Sequence, residues 1–200
     1  MRLADFIVSN VEPILTEWEI FAQSIGAGEH LDQLALRDHA GQILDATARD
    51  MRLPQTATER AKKSRGLDRP QEEDPLDGAS KSHAVDRLSL GFDLLEVMSE
   101  YRALRASVLR LWEASSPEKN DRDVEDLTRF NESIDQSITK AIASYTSRVD
   151  QARDMFLAIL SHDLRNPLNS IGMTAQLVPL VCNDPAEAIA CGQQIIRVLI

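Results

Sequence analysis

The chain has 200 residues, enough for one or two domains at about 100–200 residues each. With 4% aromatic residues and only eight Gly and eight Pro against 43% hydrophobic residues, it suits packed helices and excludes an all-β sandwich or barrel, which needs turn residues every ~8–12 positions. A formal charge of −10, the lack of an apolar run near ~18 residues, and acids at Asp5, Glu12, Glu17 and Glu19 argue against nucleic acid, a membrane span and a signal peptide, so a soluble, cytoplasmic chain is expected.

Four long helical stretches are expected, and no segment alternates like a strand. In the first, Ile7, Val11, Ile14, Trp18, Phe21 and Ile25 recur at steps of three and four. Asn10 can cap a fresh start there that leaves Pro13 in a tolerant first turn, and Gly26 and Gly28 end the stretch. A second helix runs from about Leu31 to Met51, with Leu36, Ala40, Ile43 and Thr47 inward, and stops before Pro54. Thr56 and Glu59 then have capping-box spacing for a short basic helix through Arg65. Residues 66–80 combine Pro, Gly and clustered acids without an apolar period and read as a mobile loop.

A third helical region covers Lys81 to Glu113, bent at Gly91, with the stripe Leu88, Leu95, Met98, Tyr101, Leu104, Val108 and Leu111. His83 and His30 read as solvated. His39 shares a face with Leu36 and Ile43, as a haem ligand would, but reads as a core or interface histidine with one nitrogen satisfied. Trp18 and Trp112 read as core anchors, and the basic cluster Arg60, Lys62, Lys63 and Arg65 as an exposed helix face. From Asp121 to about Val178 only Pro167 interrupts helical character, far beyond the ~10–14 residues of an average helix. Val124, Leu127, Asn131, Ile134, Ile138, Ala141 and Tyr145 alternate as in a coiled-coil seam, for which a second copy of the chain is the simplest partner, the alternative being one long helix lying on its own domain. Cys182 and Cys191 lack a CxxC pair or a histidine at ligand spacing, so they read as reduced structural thiols, with no metal site expected.

The chemistry concentrates in Phe156 to Leu168, FLAILSHDLRNPL. Leu157, Leu160, Leu164, Leu168, Ile171 and Val178 form its apolar stripe. At ~100° per residue His162 lies well away from Leu160 and Leu164 and projects outward, with Asn166 one turn on. If Asp163 takes the proton on Nδ1, the Nε2 lone pair faces out as a nucleophile. Pro167 removes the amide that would bond the Asp163 carbonyl, so the helix should bend just beyond the histidine.

This segment resembles the phosphoacceptor box of the sensor histidine kinases, and the resemblance extends over roughly Arg153 to Ile200. It implies that His162 accepts the γ-phosphoryl group of ATP, that Asp163 is the activating base, and that Asn166 orients water for dephosphorylation of a partner; Arg165 is a supporting contact. Asp184, Pro185 and Glu187 have the N-cap, first-position and box-closing places of a second hairpin helix, with Ile189, Ile196 and Leu199 on its apolar face. Two such hairpins make a dimeric four-helix bundle.

The Asn- and Gly-rich boxes of the kinases' ATP-binding domain are not in this sequence. The expectation is therefore an N-terminal piece of a longer kinase, inactive alone and without a cofactor of its own, with Mg-ATP implied for the ATP-binding domain; the alternative is a phosphoacceptor protein served by another kinase. The run DRLSLGFDLLEVMSEYRALRASVLRLW, with Ile14 to Trp18 and Leu36 to His39 upstream, resembles the N-terminal domain of the stressosome RsbT co-antagonist proteins, which implies a globin-like, haem-free helical domain for sensing or dimer assembly.

The expected architecture is all-α. A sensor-like domain occupies 1–120, a coiled-coil signalling helix 121–150, and an incomplete dimerisation and phosphotransfer domain 151–200. The partners implied are a second copy of the chain, a response-regulator receiver domain and the ATP-binding domain. The alternative is a non-enzymatic dimeric scaffold or small-ligand sensor in which His162 is inert.

Overall fold

A computed structural model describes residues 1–22, 33–66, 75–115, 121–181, 185–186, 188–190 and 192–193. Its described residues are all-α, without a strand. The helices are α1 (Leu3–Ser9), α2 (Val11–Ala22), α3 (Gln33–Arg52), α4 (Ala57–Lys63), α5 (Pro75–Ser89), α6 (Leu94–Ser115) and α7 (Asp121–Val181). Among the described residues no helix is long and apolar enough to cross a membrane. The chain divides into two compact units, Met1–Arg148 and Val149–Ile200.

Local chemistry explains several helix ends in the first unit. Thr56 and Glu59 close the expected capping box on α4, each side chain accepting the other's backbone N–H. A second box, Asp93 with Glu96, starts α6. Between α5 and α6, Gly91 takes φ +87°, and the N–H groups of Phe92 and Gly91 return to the carbonyls of Arg87 and Leu88. Those two bonds are a Schellman stop, which requires a left-handed residue and so favours glycine. Asn10 acts differently from the cap expected of it: its side chain donates back to the Phe6 carbonyl at 2.9 Å, closing α1, while α2 begins at Val11.

Helices α1, α2, α3, α5 and α6 enclose the core, with α3 packed against α1, α2 and α5, and α2 against α6. Ile7, Ile14, Trp18, Ala40, Ile43, Thr47, Tyr101, Leu104, Val108 and Trp112 are buried as their periodicity implies. Leu95, expected in the same stripe, is 70% exposed; Val97 is buried in its place. Part of the expected 66–80 loop is helix. Pro75 sits at the first position of α5, where its missing N–H costs nothing, and Leu76, Asp77 and Ser80 are buried. Polar residues that go inward resemble a loop in sequence. Residues 67–74 of that expected loop, His30, Ile25, both cysteines, Asp184, Glu187, Ile196 and Leu199 lie outside the described residues.

The first part of α7 belongs to this same unit and lies on its core, the alternative weighed for its apolar stripe. Phe130, Ile134 and Ala141 are fully buried in the core, with Ile138 and Tyr145 packed against it, whereas Val124 remains 64% exposed. Polar straps fix the helix at several points. Asp126 accepts the Leu3 N–H (2.9 Å) and Arg2 Nε (2.9 Å), so a carboxylate from α7 caps α1. Arg129 donates to the carbonyls of Asp50 and Leu53 at the end of α3, where a cation complements the helix dipole. Ser133 bonds Asp50, which also pairs with Lys63. Asp77 of α5 accepts from Gln136 Nε2 at 3.0 Å and forms an ion pair with Lys140 Nζ at 3.0 Å, and the Tyr145 hydroxyl donates to the Phe92 carbonyl at 3.1 Å.

Candidate functional site

The sequence-derived site lies in the second unit, on the distal half of α7. The helix runs on through Pro167, although that residue cannot donate to the Asp163 carbonyl. Residues 149–166 are all exposed, and the expected stripe shares in this: Leu157, Leu160, Leu164 and Leu168 are 41–62% exposed. Burial on this part of α7 is confined, among the described side chains, to Pro167, Ser170, Ile171 and Thr174, whose spacing is one helix face. Among the described residues of the unit, Ala188 and Gly192, four residues apart, are the other half-buried positions.

The His162 and Asp163 side chains are 71% and 69% exposed, and Nδ1 of the ring lies 3.2 Å from Oδ1 of the carboxylate. An ionised carboxylate only accepts hydrogen bonds, so in the neutral ring this contact places the proton on Nδ1 and leaves the Nε2 lone pair unshielded. Asn166 is exposed one turn further along. The contact is solvent-facing and long, which suits an orienting interaction more than a stabilising one. The arrangement presents a nucleophilic nitrogen with a carboxylate behind it and an amide nearby. Among the described residues no group of three His, Cys, Asp or Glu side chains could hold a metal ion.

A second constellation, in the first unit, corrects the reading of His83 as solvated. Its side chain is 2% exposed, and Nε2 lies 2.9 Å from Glu100, itself 1% exposed. Arg87, one turn from His83 on α5, donates Nε to both Glu100 oxygens at 2.9 and 2.8 Å. Burial pushes the His83 imidazole below its ordinary range, against the pull of Glu100. For Glu100, burial acts upward, but the bonds and charges of His83 and Arg87 outweigh it and hold the carboxyl below its usual range. His39 pairs through Nε2 with Asp86 at 3.0 Å, while its Nδ1 is buried without a hydrogen-bond partner. A sequence signal for the cluster existed: Glu100 interrupts the apolar face formed by Val97, Tyr101 and Leu104, facing an i, i+4 pair of basic side chains on α5.

Residues 152–196 match the family of the His Kinase A (phospho-acceptor) domain, a span that includes His162, Asp163 and Asn166. The match supports a two-component histidine-kinase phosphoacceptor function for this segment. No curated protein and no solved structure matches the chain.

Proposed function

We propose that the chain is the sensory and phosphoacceptor portion of a two-component histidine kinase, with His162 as the residue phosphorylated. The observation that carries this reading is the exposed His162 ring, its Nδ1 against Asp163, within the segment matching the phosphoacceptor family. Nε2 attacks the γ-phosphorus of Mg-ATP held by the kinase's ATP-binding domain. A P–N bond forms, the bond to the β-phosphate oxygen breaks, and ADP leaves. The Nδ1 proton passes to Asp163, so the phosphorylated ring is not left as a cation. Transfer onward breaks the P–N bond in favour of an acyl phosphate on a response-regulator aspartate, and Asp163 returns the proton. In the reverse, hydrolytic direction the Asn166 amide holds the attacking water.

Under this reading the four exposed leucines of α7 are covered in a homodimer by a partner hairpin, and the helical unit is a globin-like sensory or assembly domain of the RsbT co-antagonist type. Incubation with ATP and a compatible ATP-binding domain tests the assignment. Phosphate is expected on His162, acid-labile as a phosphoramidate is, and absent from His162→Gln. Phosphate on another residue would overturn it.

A further inference from the structure

The ionic cluster of the first unit lies outside the phosphoacceptor segment and joins three helices through ionisable side chains. Glu100 (α6) holds both His83 and Arg87 (α5), and the ring centroids of His39 (α3) and His83 lie 6.3 Å apart at an interplanar angle of 63°. Tyr101 of α6 packs edge-on against His83 at 5.3 Å, and Asp86 of α5 pairs with His39. From α2 comes the uncharged Trp18, whose indole N–H donates to the Glu100 carbonyl at 3.1 Å. Trp18, Ala40, His83, Glu100 and Tyr101 wall a cavity of ≈ 10 Å³, room for about one water.

We propose that this cluster is a proton-operated latch: protonation of His83 and His39 releases α5 from α3 and α6 and loosens its hold on α7. The neutral His83 ring must carry its proton on Nε2, because the Glu100 carboxylate only accepts. A second proton has only Nδ1 to occupy, and Nδ1 is buried without a hydrogen-bond partner. It would create a buried donor with no protein acceptor and a second cation beside Arg87. His39 is the partly exposed member, 21% accessible, and in its charged form it would add to the repulsion. Tyr101 stays neutral throughout, since burial pushes its hydroxyl above the ordinary range. With both histidines charged, three cations share one buried carboxylate and the more exposed Asp86. The helix so destabilised is the one whose Asp77 straps α7 at Gln136 and Lys140. A proton taken up in the core thereby reaches the helix that carries His162.

Trp18 is a built-in reporter. In a Trp112→Phe background, where the replaced indole N–H had no hydrogen-bond partner, Trp18 is the sole tryptophan. Its fluorescence, helical circular dichroism and hydrogen exchange over residues 133–141 of α7, corrected for intrinsic rate, are followed from about pH 7.5 to about pH 4.5, a range extended below the ordinary histidine value because burial holds His83 lower. The expected result is a reversible loss of Trp18 emission and faster exchange in α7 with helical content retained. His39→Gln should show a shallower change and His83→Gln a flat response. An unchanged titration in His83→Gln, a flat response in the parent, unchanged exchange in α7, or loss of emission only together with helical content would each overturn the latch. If His83→Gln does not fold, a His39→Gln titration indistinguishable from the parent overturns it equally. None of these readouts involves phosphate, so the latch and the His162 assignment fail separately.

Discussion

Replacing Glu100 by Gln keeps the shape of the side chain and removes the charge on which the buried cluster depends. Glu100 and Arg87 are each 1% exposed, and the carboxylate accepts three side-chain contacts between 2.8 and 2.9 Å. An amide offers Arg87 one oxygen where there were two and turns an NH₂ group toward a cation. Breaking a buried pair by removing one partner costs roughly 3–5 kcal/mol, because the other charge is left uncompensated. At about 2–4 °C per kcal/mol for a chain of this size, the expected drop in melting temperature is roughly 6–20 °C at neutral pH, read by calorimetry or circular dichroism.

Removing both charges, in Arg87→Met with Glu100→Leu, should cost much less than the two single losses together, since no unpaired ion remains. The pH dependence has a definite sign. Glu100 is held below its ordinary value of 4.5 and His83 below 6.5, so the unfolded chain binds more protons than the folded one. Stability is therefore full above about pH 6.5 and falls with acid, first through His83 and then through Glu100. Glu100→Gln loses the lower-pH part of that fall. A melting temperature within about 2 °C of the parent, or additive losses in the double variant, would refute the assignment of Glu100 as the charge that neutralises Arg87.

Asp126→Ala removes the acceptor for the Leu3 N–H in a buried setting, and a loss of about 1–3 kcal/mol in urea unfolding is expected; no change would show that the α1 start is satisfied otherwise. Ile134→Ala, at a fully buried site, should cost about 2–5 kcal/mol. Leu164→Ala, at a site 53% exposed, should leave melting of the first unit within about 0.5 kcal/mol but weaken self-association in sedimentation velocity; equal self-association would remove the dimeric bundle. Asp163→Asn should slow phosphorylation of His162 by about 10²–10⁴-fold, the usual contribution of a general base, whereas Asn166→Ala should spare that step and impair dephosphorylation of a response regulator. Equal effects of the two substitutions on both reactions would void the division of roles.

The sequence alone determined what depends on residues within a turn or two of one another. Thr56 with Glu59 set the start of α4, Gly91 set the break before α6, and the unbroken helical character after Asp121 set the length of α7. The phosphoacceptor segment is legible for the same reason: its histidine, acid, amide and proline lie within six residues on one helix, so their order along the chain nearly specifies their order in space.

Only the tertiary structure decided what each helix face meets. The stripe through Ile134 and Ala141 announces that some surface covers it, and periodicity cannot say whether that surface belongs to the same chain; here it is the core of α7's own unit. The stripe through Leu157 and Leu164 has the same period and remains exposed. His83 gave no local sign of burial, because what buries and pairs it comes from α3 and α6, brought against α5 by packing. Asp77 and Ser80 read as loop residues for the same cause: a polar side chain can enter a core only if distant partners receive it, and those partners, Gln136 and Lys140 for Asp77, are supplied by the fold.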